Sequence, residues 1–240
     1  MRVPCSHATP VDEEPDVSLN ATSFLISALF AGGTVRLEPD GRESGIVKTP
    51  VRGRVAVDAL GLAGDVHCDQ RAHGGPEKAV HQFAVSSYRR LAAHAPECAC
   101  MLTVGSIGEN VSADGMDEAN VHIGDVYRAG TVLLEVSQPR SPCWKIDARY
   151  GVEGLAAFVA KQGVTGWYYR VLQPGQIEVG DAVTLVERRD DAPSIERFWQ
   201  VQSAHRPDLG VLQRLAGTAR LSVDWKRRLE QRLAWLRANR

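Results

Sequence analysis

The chain has 240 residues, a formal net charge of −1, 44% hydrophobic residues and 24% charged ones. That length buries a proper core and accommodates one large domain or a domain with an appendage, while the near-neutral charge argues against general attraction to nucleic acid or membrane, so any anion site must be local. Cys5, Cys68, Cys98, Cys100 and Cys143 are odd in number and irregular in spacing, which argues against a secreted disulfide framework and predicts a reducing, cytoplasmic compartment.

In chain order, residues 1–22 carry prolines and the acidic patch Asp12, Glu13, Glu14 and Asp16 without an apolar period, so they are expected to form a disordered extension. The apolar run at 24–30 follows the wrong charge for a secretory leader and is too short to span a membrane. A first β-strand is the better reading. Residues 54–58, 131–136 and 183–187 alternate apolar and polar positions, the signature of strands with one buried face. The turns Gly124-Asp125 and Gly180-Asp181 each open such a strand. Apolar residues at helical spacing predict helices over 86–94 and 152–161. Short strands joined by irregular loops suit a closed antiparallel barrel, with helices plugging its ends or covering an edge.

After Arg189 the pattern turns wholly helical. Residues 191–194 read as a helix start, 212–215 as a short middle helix, and 222–236 as a last helix with Trp225, Leu229, Leu233 and Leu236 on one stripe. The expectation is a mainly β, α+β chain in three parts: the extension at 1–22, a barrel domain at 23–189 and a three-helix module at 190–240.

Two clusters carry chemistry. The first is Ser137-Gln138-Pro139-Arg140-Ser141-Pro142-Cys143-Trp144-Lys145. Its prolines stiffen the loop, and Arg140 and Lys145 favour a thiolate at Cys143, the form that bonds metals or attacks electrophiles. A small packed residue is the other reading of that cysteine. The second cluster runs from Gly61 through Asp65 and His67 to His73-Gly74-Gly75-Pro76-Glu77-Lys78 and His81. Glycines there let backbone amides approach an anion, although an ordinary turn with core histidines reads equally well. Glu109-Asn110 after Gly108 fits a capped turn or a pocket wall.

The His-Gly-Gly-x-x-Lys-Ala segment, Gly108-Glu109-Asn110, the Ile123-Gly124-Asp125 turn, the Gln-Pro-Arg-x-Pro-Cys loop and Gly166-Trp167-Tyr168-Tyr169-Arg170-Val171 occur in one order. In that order they resemble the MOSC-domain proteins of the YiiM type, over residues 23–238. The helical tail, and Leu221-Ser222-x-Asp224-Trp225 above all, is similar to the module that follows the barrel in that family. The resemblance implies a small β-barrel that holds a molybdenum-pterin cofactor and reduces N-hydroxylated compounds such as 6-hydroxylaminopurine and amidoximes. It implies Cys143 as the metal ligand and catalytic residue, in keeping with the softness of thiolate. Lys48, Arg140 and Arg170 become candidates for the cofactor's phosphate. His73, Gly74, Gly75 and Lys78 become a cofactor wall, Glu109 and Asn110 pocket lining, and His81 stays open.

No flavin or haem motif is present, so a separate electron-donor reductase, a flavin or iron–sulfur protein, is expected. A carrier that delivers the cofactor without turnover is the alternative, and a thiol enzyme built on Cys143 with a histidine base is a third. Cys98-Ala99-Cys100 near His94 lacks the second ligand pair of a structural zinc site. The stretch 65–69 lacks the glycine and glutamate of a calcium loop. The basic last helix reads as a solvated face or as a docking patch for an acidic electron donor.

Overall fold

The apolar run at 24–30 becomes β1 (Ser23–Ala31), whose nine residues let it pair with three other strands. In this computed structural model the described residues are 22–38, 41–68 and 74–239. The extension expected at 1–22 therefore lies, apart from Thr22, outside the described residues, as does His73.

A hairpin, β2 (Val35–Leu37) with β3 (Arg42–Ser44), follows β1. Short strands β4 (Thr49–Pro50), β5 (Val55–Asp58) and β6 (Gly61–Leu62) come next. A 3-10 turn at Pro76–Lys78 leads into β7 (Val80–Gln82), α1 (Val85–His94) and a second 3-10 segment at Pro96–Met101. Then come β8 (Val111–Ala113), β9 (Val126–Ala129) and β10 (Val132–Pro139). Helices α2 (Lys145–Tyr150) and α3 (Leu155–Gln162) separate β10 from β11 (Trp167–Gln173). The strands end with β12 (Gly175–Ile177) and β13 (Ala182–Glu187), before α4 (Ile195–Ser203), α5 (Leu209–Ala216) and α6 (Val223–Ala238).

Seven strands close on themselves in the order β1-β13-β9-β10-β11-β7-β8 and back to β1, while β4 extends the free edge of β1. The expected α+β barrel with interspersed helices is therefore the fold. One seam differs from the antiparallel expectation: β7 and β8 pair parallel, Gln82 opposite Val111. The physical reason is the connection, because α1 and the segment after it carry the chain back to the same end before β8 begins, as a parallel pair requires.

The helix expected at 152–161 also differs. It starts later, at Leu155, after Gly154 in the left-handed region at φ 84, and a separate α2 precedes it. Asp147 of α2 explains the break, since its carboxylate accepts from the Gly154 and Ala156 amides at 3.0 and 2.6 Å and so satisfies the donors that open α3.

One core runs through the barrel from Ile26, Tyr127 and Tyr169 into Phe198, Leu212, Trp225 and Leu229 of the last three helices. Side chains of this size contribute about 1.5–3 kcal/mol each when fully buried. A second core of Phe83, Tyr88, Leu91, Ile107, Ile146 and Val159 lies beneath α1–α3. Helix α6 is tied to the end of β10 by polar bonds as well: the Ser222 amide donates to Ser137 O at 3.0 Å and Trp225 Nε1 to Pro139 O at 3.3 Å. These contacts fix the segment that carries Cys143.

Candidate active site

Strand β10 leaves the barrel at Pro139, and residues 140–144 turn sharply into α2. The Arg140 amide still donates to Gly166 O at 3.0 Å, and Cys143 O accepts from the Ile146 amide at 3.0 Å. These two bonds pin both sides of the loop. Arg42 lies over the Trp144 ring at 4.2 Å, a cation–π contact that draws the β2–β3 hairpin over the cysteine loop.

Cys143 is half-buried and lines a cleft. The opposite walls are Ser44 at the end of β3 with Gly45, Ile46 and Lys48 after it, then Val66, His67 and Cys68, and the segment Ile107–Gly108 with Asn110; His81, Tyr168, Arg140 and Lys145 complete it. Two glycines are dictated by this packing. A Cβ on Gly45 would stand 2.5 Å from Val66 O, and one on Gly108, at φ 90, would meet Ile46 atoms at 3.0 Å.

Lys48 and Asp65 form a buried ion pair behind the wall. Asp65 also accepts from the Gly32 amide at 3.0 Å and from Asn110 Nδ2 at 2.9 Å, and His67 Nε2 lies 3.6 Å away. Burial pulls the Lys48 pKa below its ordinary value, opposed by Asp65. His81 is wholly enclosed. Its Nδ1 lies 3.1 Å from Gly108 O and donates to it, while Nε2 has no partner among the described residues. Burial first, then the Arg140 charge, hold its pKa well below the usual histidine range, so the ring is neutral and Nε2 is an acceptor. Arg140 is 5% exposed, and its Nη1 lacks a hydrogen-bond partner among the described residues. Burial pushes the Tyr168 hydroxyl above the ordinary tyrosine value, with Arg140 opposing.

The sequence profile of the MOSC domain matches residues 69–184. Protein YiiM of Escherichia coli K12 is 35% identical over 201 residues, 83% of this chain and 89% of that protein. Its crystal structure superposes with a TM-score of 0.74 at 29% identity, covering 89% of this chain and 93% of that one. YiiM from Geobacillus stearothermophilus gives a TM-score of 0.73 at 31% identity, over 88% and 99% of the two chains. The chain belongs to the MOSC-domain family. A reductase of Gibberella moniliformis is 38% identical over 200 residues, which is 83% of this chain but 34% of that longer protein. MOSC domains are associated with molybdenum-cofactor binding.

Of the expected site residues, this MOSC domain brings Cys143, Lys48, Asn110 and Arg140 to one cleft. Lys78 lies in a neighbouring cleft that shares Cys143 and Tyr168. Three groups of the expected residues sit outside these two clefts. Glu109 lines neither cleft, for its carboxylate accepts from Tyr88 Oη and the Gly105 amide, each at 2.6 Å, inside the second core. Arg170 is bonded to Glu77 at 2.8 Å, to Glu135 and to Arg220 O at 2.9 Å; the β10–β11 register sets Glu135 opposite it. Gly74 and Gly75 line neither cleft; Gly75, at φ 87, opens the 3-10 turn instead.

His67 and Tyr168, which the sequence placed in motifs without giving them a role, line the cleft, as does His81, while Asp65 sits behind its wall as the partner of Lys48. A usable signal for Asp65 was its place between Gly64 and His67 in a segment already rich in ligand chemistry. No histidine neighbours Cys143 in sequence, yet His67 and His81 share its cleft. Among the described residues, no group of three or more His, Cys, Asp or Glu could hold a metal ion by itself. No helix there is long and apolar enough to cross a membrane.

Proposed function

We propose that this chain is a molybdenum-cofactor-dependent reductase of N-hydroxylated compounds, with Cys143 as the protein's ligand to the metal. One observation carries the reading: Cys143 opens into a cleft where Arg140 Nη1 and His81 Nε2 are buried without a partner among the described residues. Buried polar atoms ordinarily find partners, so a cavity that leaves one guanidinium nitrogen and one imidazole nitrogen without a partner among the described residues fits an anionic, nitrogen-rich occupant such as a phosphate-bearing pterin. Lys48 is committed to Asp65, which leaves Arg140 and Lys145 as the cations for that anion. A thiolate suits a thiophilic metal.

Bound there, the cofactor supplies the two-electron chemistry that breaks an N–O bond. The net change converts an N-hydroxyl group, two electrons and two protons into N–H and water. Electrons are assigned to a separate flavin or iron–sulfur reductase. His81 Nε2 accepts a hydrogen bond and orients whatever presents an N–H or O–H to it. Tyr168, kept protonated by burial, stands where the two clefts meet. Substrates under this reading are hydroxylaminopurines, amidoximes and related hydroxylamines.

Expression in a cofactor-producing host, followed by metal analysis of the wild type beside Cys143→Ala, tests the proposal. Stoichiometric molybdenum in the first, little in the second, and reduction of 6-hydroxylaminopurine by the first with a chemical electron donor are expected. Molybdenum without turnover would mark a carrier. Full activity in metal-free protein would overturn the reading.

A further inference from the structure

We infer that the basic edge of α6 is the docking surface for a small acidic flavin protein that delivers electrons toward Cys143. The inference rests on the reading of Cys143 given above and adds the partner to it. Arg228 of α6 lines the second cleft together with Ser141, Pro142 and Cys143, so the edge of the helix and the proposed metal ligand border one cavity.

Three cations gather at that edge. Lys78 Nζ lies 3.6 Å from Asp224 Oδ2, and Arg227 Nη2 donates to Asp224 Oδ1 at 2.9 Å. Arg228 turns instead to Ser141 Oγ at 3.5 Å, its guanidinium 5.4 Å from the Trp225 ring centroid. One carboxylate therefore answers three positive charges, in a chain whose net charge is −1. A local surplus of this kind draws a negatively charged partner to one place and orients it there. The later arginines of α6 are engaged elsewhere: Arg232 donates to Gln202 O and Ala204 O, and Arg237 to Gln213 Oε1 at 2.8 Å.

The helical period extends the edge away from the cleft. Asp224, Arg228, Gln231 and Trp235 recur at i, i+4, i+7 and i+11 and so follow one side of α6. Arg228 and Trp235 stand two turns apart, about 10 Å along the axis. Trp235 is 63% exposed, outside the buried stripe of Trp225, Leu229 and Leu233. Tryptophan and arginine are the side chains that most often anchor protein interfaces. Pro142 and Trp225 give the cleft an apolar wall beside the cations, a combination that suits the apolar edge of a flavin set among carboxylates. Ser141, which Arg228 touches, is two residues from Cys143, so a carrier seated on this edge reaches the metal ligand without crossing the core. For each N–O bond broken, two flavin hydroquinones give one electron apiece and leave as semiquinones. Those two electrons, with two protons from water, convert the N-hydroxyl group into N–H and water.

Two electron donors separate docking from chemistry: dithionite, which needs no docking surface, and reduced flavodoxin, a small acidic flavin protein. In molybdenum-loaded full chain, reduction of 6-hydroxylaminopurine driven by flavodoxin should fall by about tenfold in Arg227→Glu and several-fold in Trp235→Ser, both exposed positions. Dithionite-driven turnover should stay within about twofold of the wild type. Calorimetry should show oxidised flavodoxin binding to the wild type, more weakly as salt rises, and not to Arg227→Glu. No flavodoxin binding by the wild type, or turnover with acidic ferredoxin and none with flavodoxin, overturns the inference, as does an equal loss with dithionite, which would mark damage to the fold. Flavodoxin binding that depends on Arg227 in a protein that reduces no N-hydroxylated compound with dithionite would sink the proposed function and leave the surface standing. Dithionite-driven turnover, with flavodoxin-driven rates equal in wild type and both variants, would sink the surface alone.

Discussion

Asp65 neutralises Lys48 behind the cleft wall, with side chains only 1% and 4% exposed. Removing one partner of a buried pair leaves the other charge uncompensated, which costs far more than the net value of the pair. Asp65→Asn should therefore destabilise the protein by about 3 kcal/mol, read from the midpoint of urea denaturation. The double variant Lys48→Met with Asp65→Leu should recover most of that loss. A single-variant cost below about 1 kcal/mol would show that the pair is not the strut of this wall.

What the sequence revealed and what it hid divide along the range of the interactions. Strand β1, the alternating strands at β5, β10 and β13, and helix α1 were legible because period and turn chemistry are local properties. Helix α2 was not, because six residues carry too little period to stand out and its role in opening α3 runs through one carboxylate, Asp147. The Cys143 loop and Arg140 were legible from their prolines, charges and order of motifs. The partners of Arg170 and Glu109 were hidden for a different reason. A cation or carboxylate in a strand-like segment looks like a ligand until the register supplies its neighbour, here Glu135 for Arg170 and Tyr88 for Glu109. The cleft draws on residues from Ser44 to Tyr168, a separation that no local pattern encodes.

Glu109 follows as a structural residue. Tyr88 Oη donates to its Oε1 at 2.6 Å and accepts from the Ile107 amide at 3.2 Å. Tyr88→Phe removes both bonds and strands the Ile107 amide in the second core, while Glu109 Oε1 keeps its bond from the Gly105 amide. The expected loss is about 2 kcal/mol of folding stability, measured by denaturant titration. Molybdenum content per folded chain should stay at the wild-type level; a parallel drop in content would return Glu109 to the cofactor site.

Arg140 carries the opposite expectation. Its buried, incompletely bonded guanidinium costs desolvation energy in the empty protein and repays it only when an anion is present. Arg140→Met should leave the thermal midpoint of cofactor-free protein unchanged or raise it by a few degrees. The same variant should retain at least tenfold less cofactor after gel filtration. If the midpoint falls and cofactor retention does not, the guanidinium is a fold element and the anion is held elsewhere.

His81 makes folding sensitive to acid, and the sign follows from its surroundings. Burial, then the charges of Arg140, Lys48 and His67, lower its pKa well below 6.5, with the Gly108 carbonyl opposing. The unfolded chain therefore takes up a proton near pH 6.5 that the folded chain refuses. Stability present above that pH is lost as pH falls toward the lowered folded value, at about 1.4 kcal/mol per pH unit for this one group. His67 and His122, also lowered mainly by burial, add to the slope with the same sign. Glu109 and Glu118 are raised by burial and act in the other direction, since the folded chain holds their protons to higher pH. Comparing wild type with His81→Gln between pH 7.5 and 5.5 cancels those shared contributions. The variant should lose stability less steeply, by close to one proton's worth of slope. Parallel curves would mean that His81 takes up its proton in the folded state after all, and with it the neutral acceptor at Nε2 would be lost from the cleft.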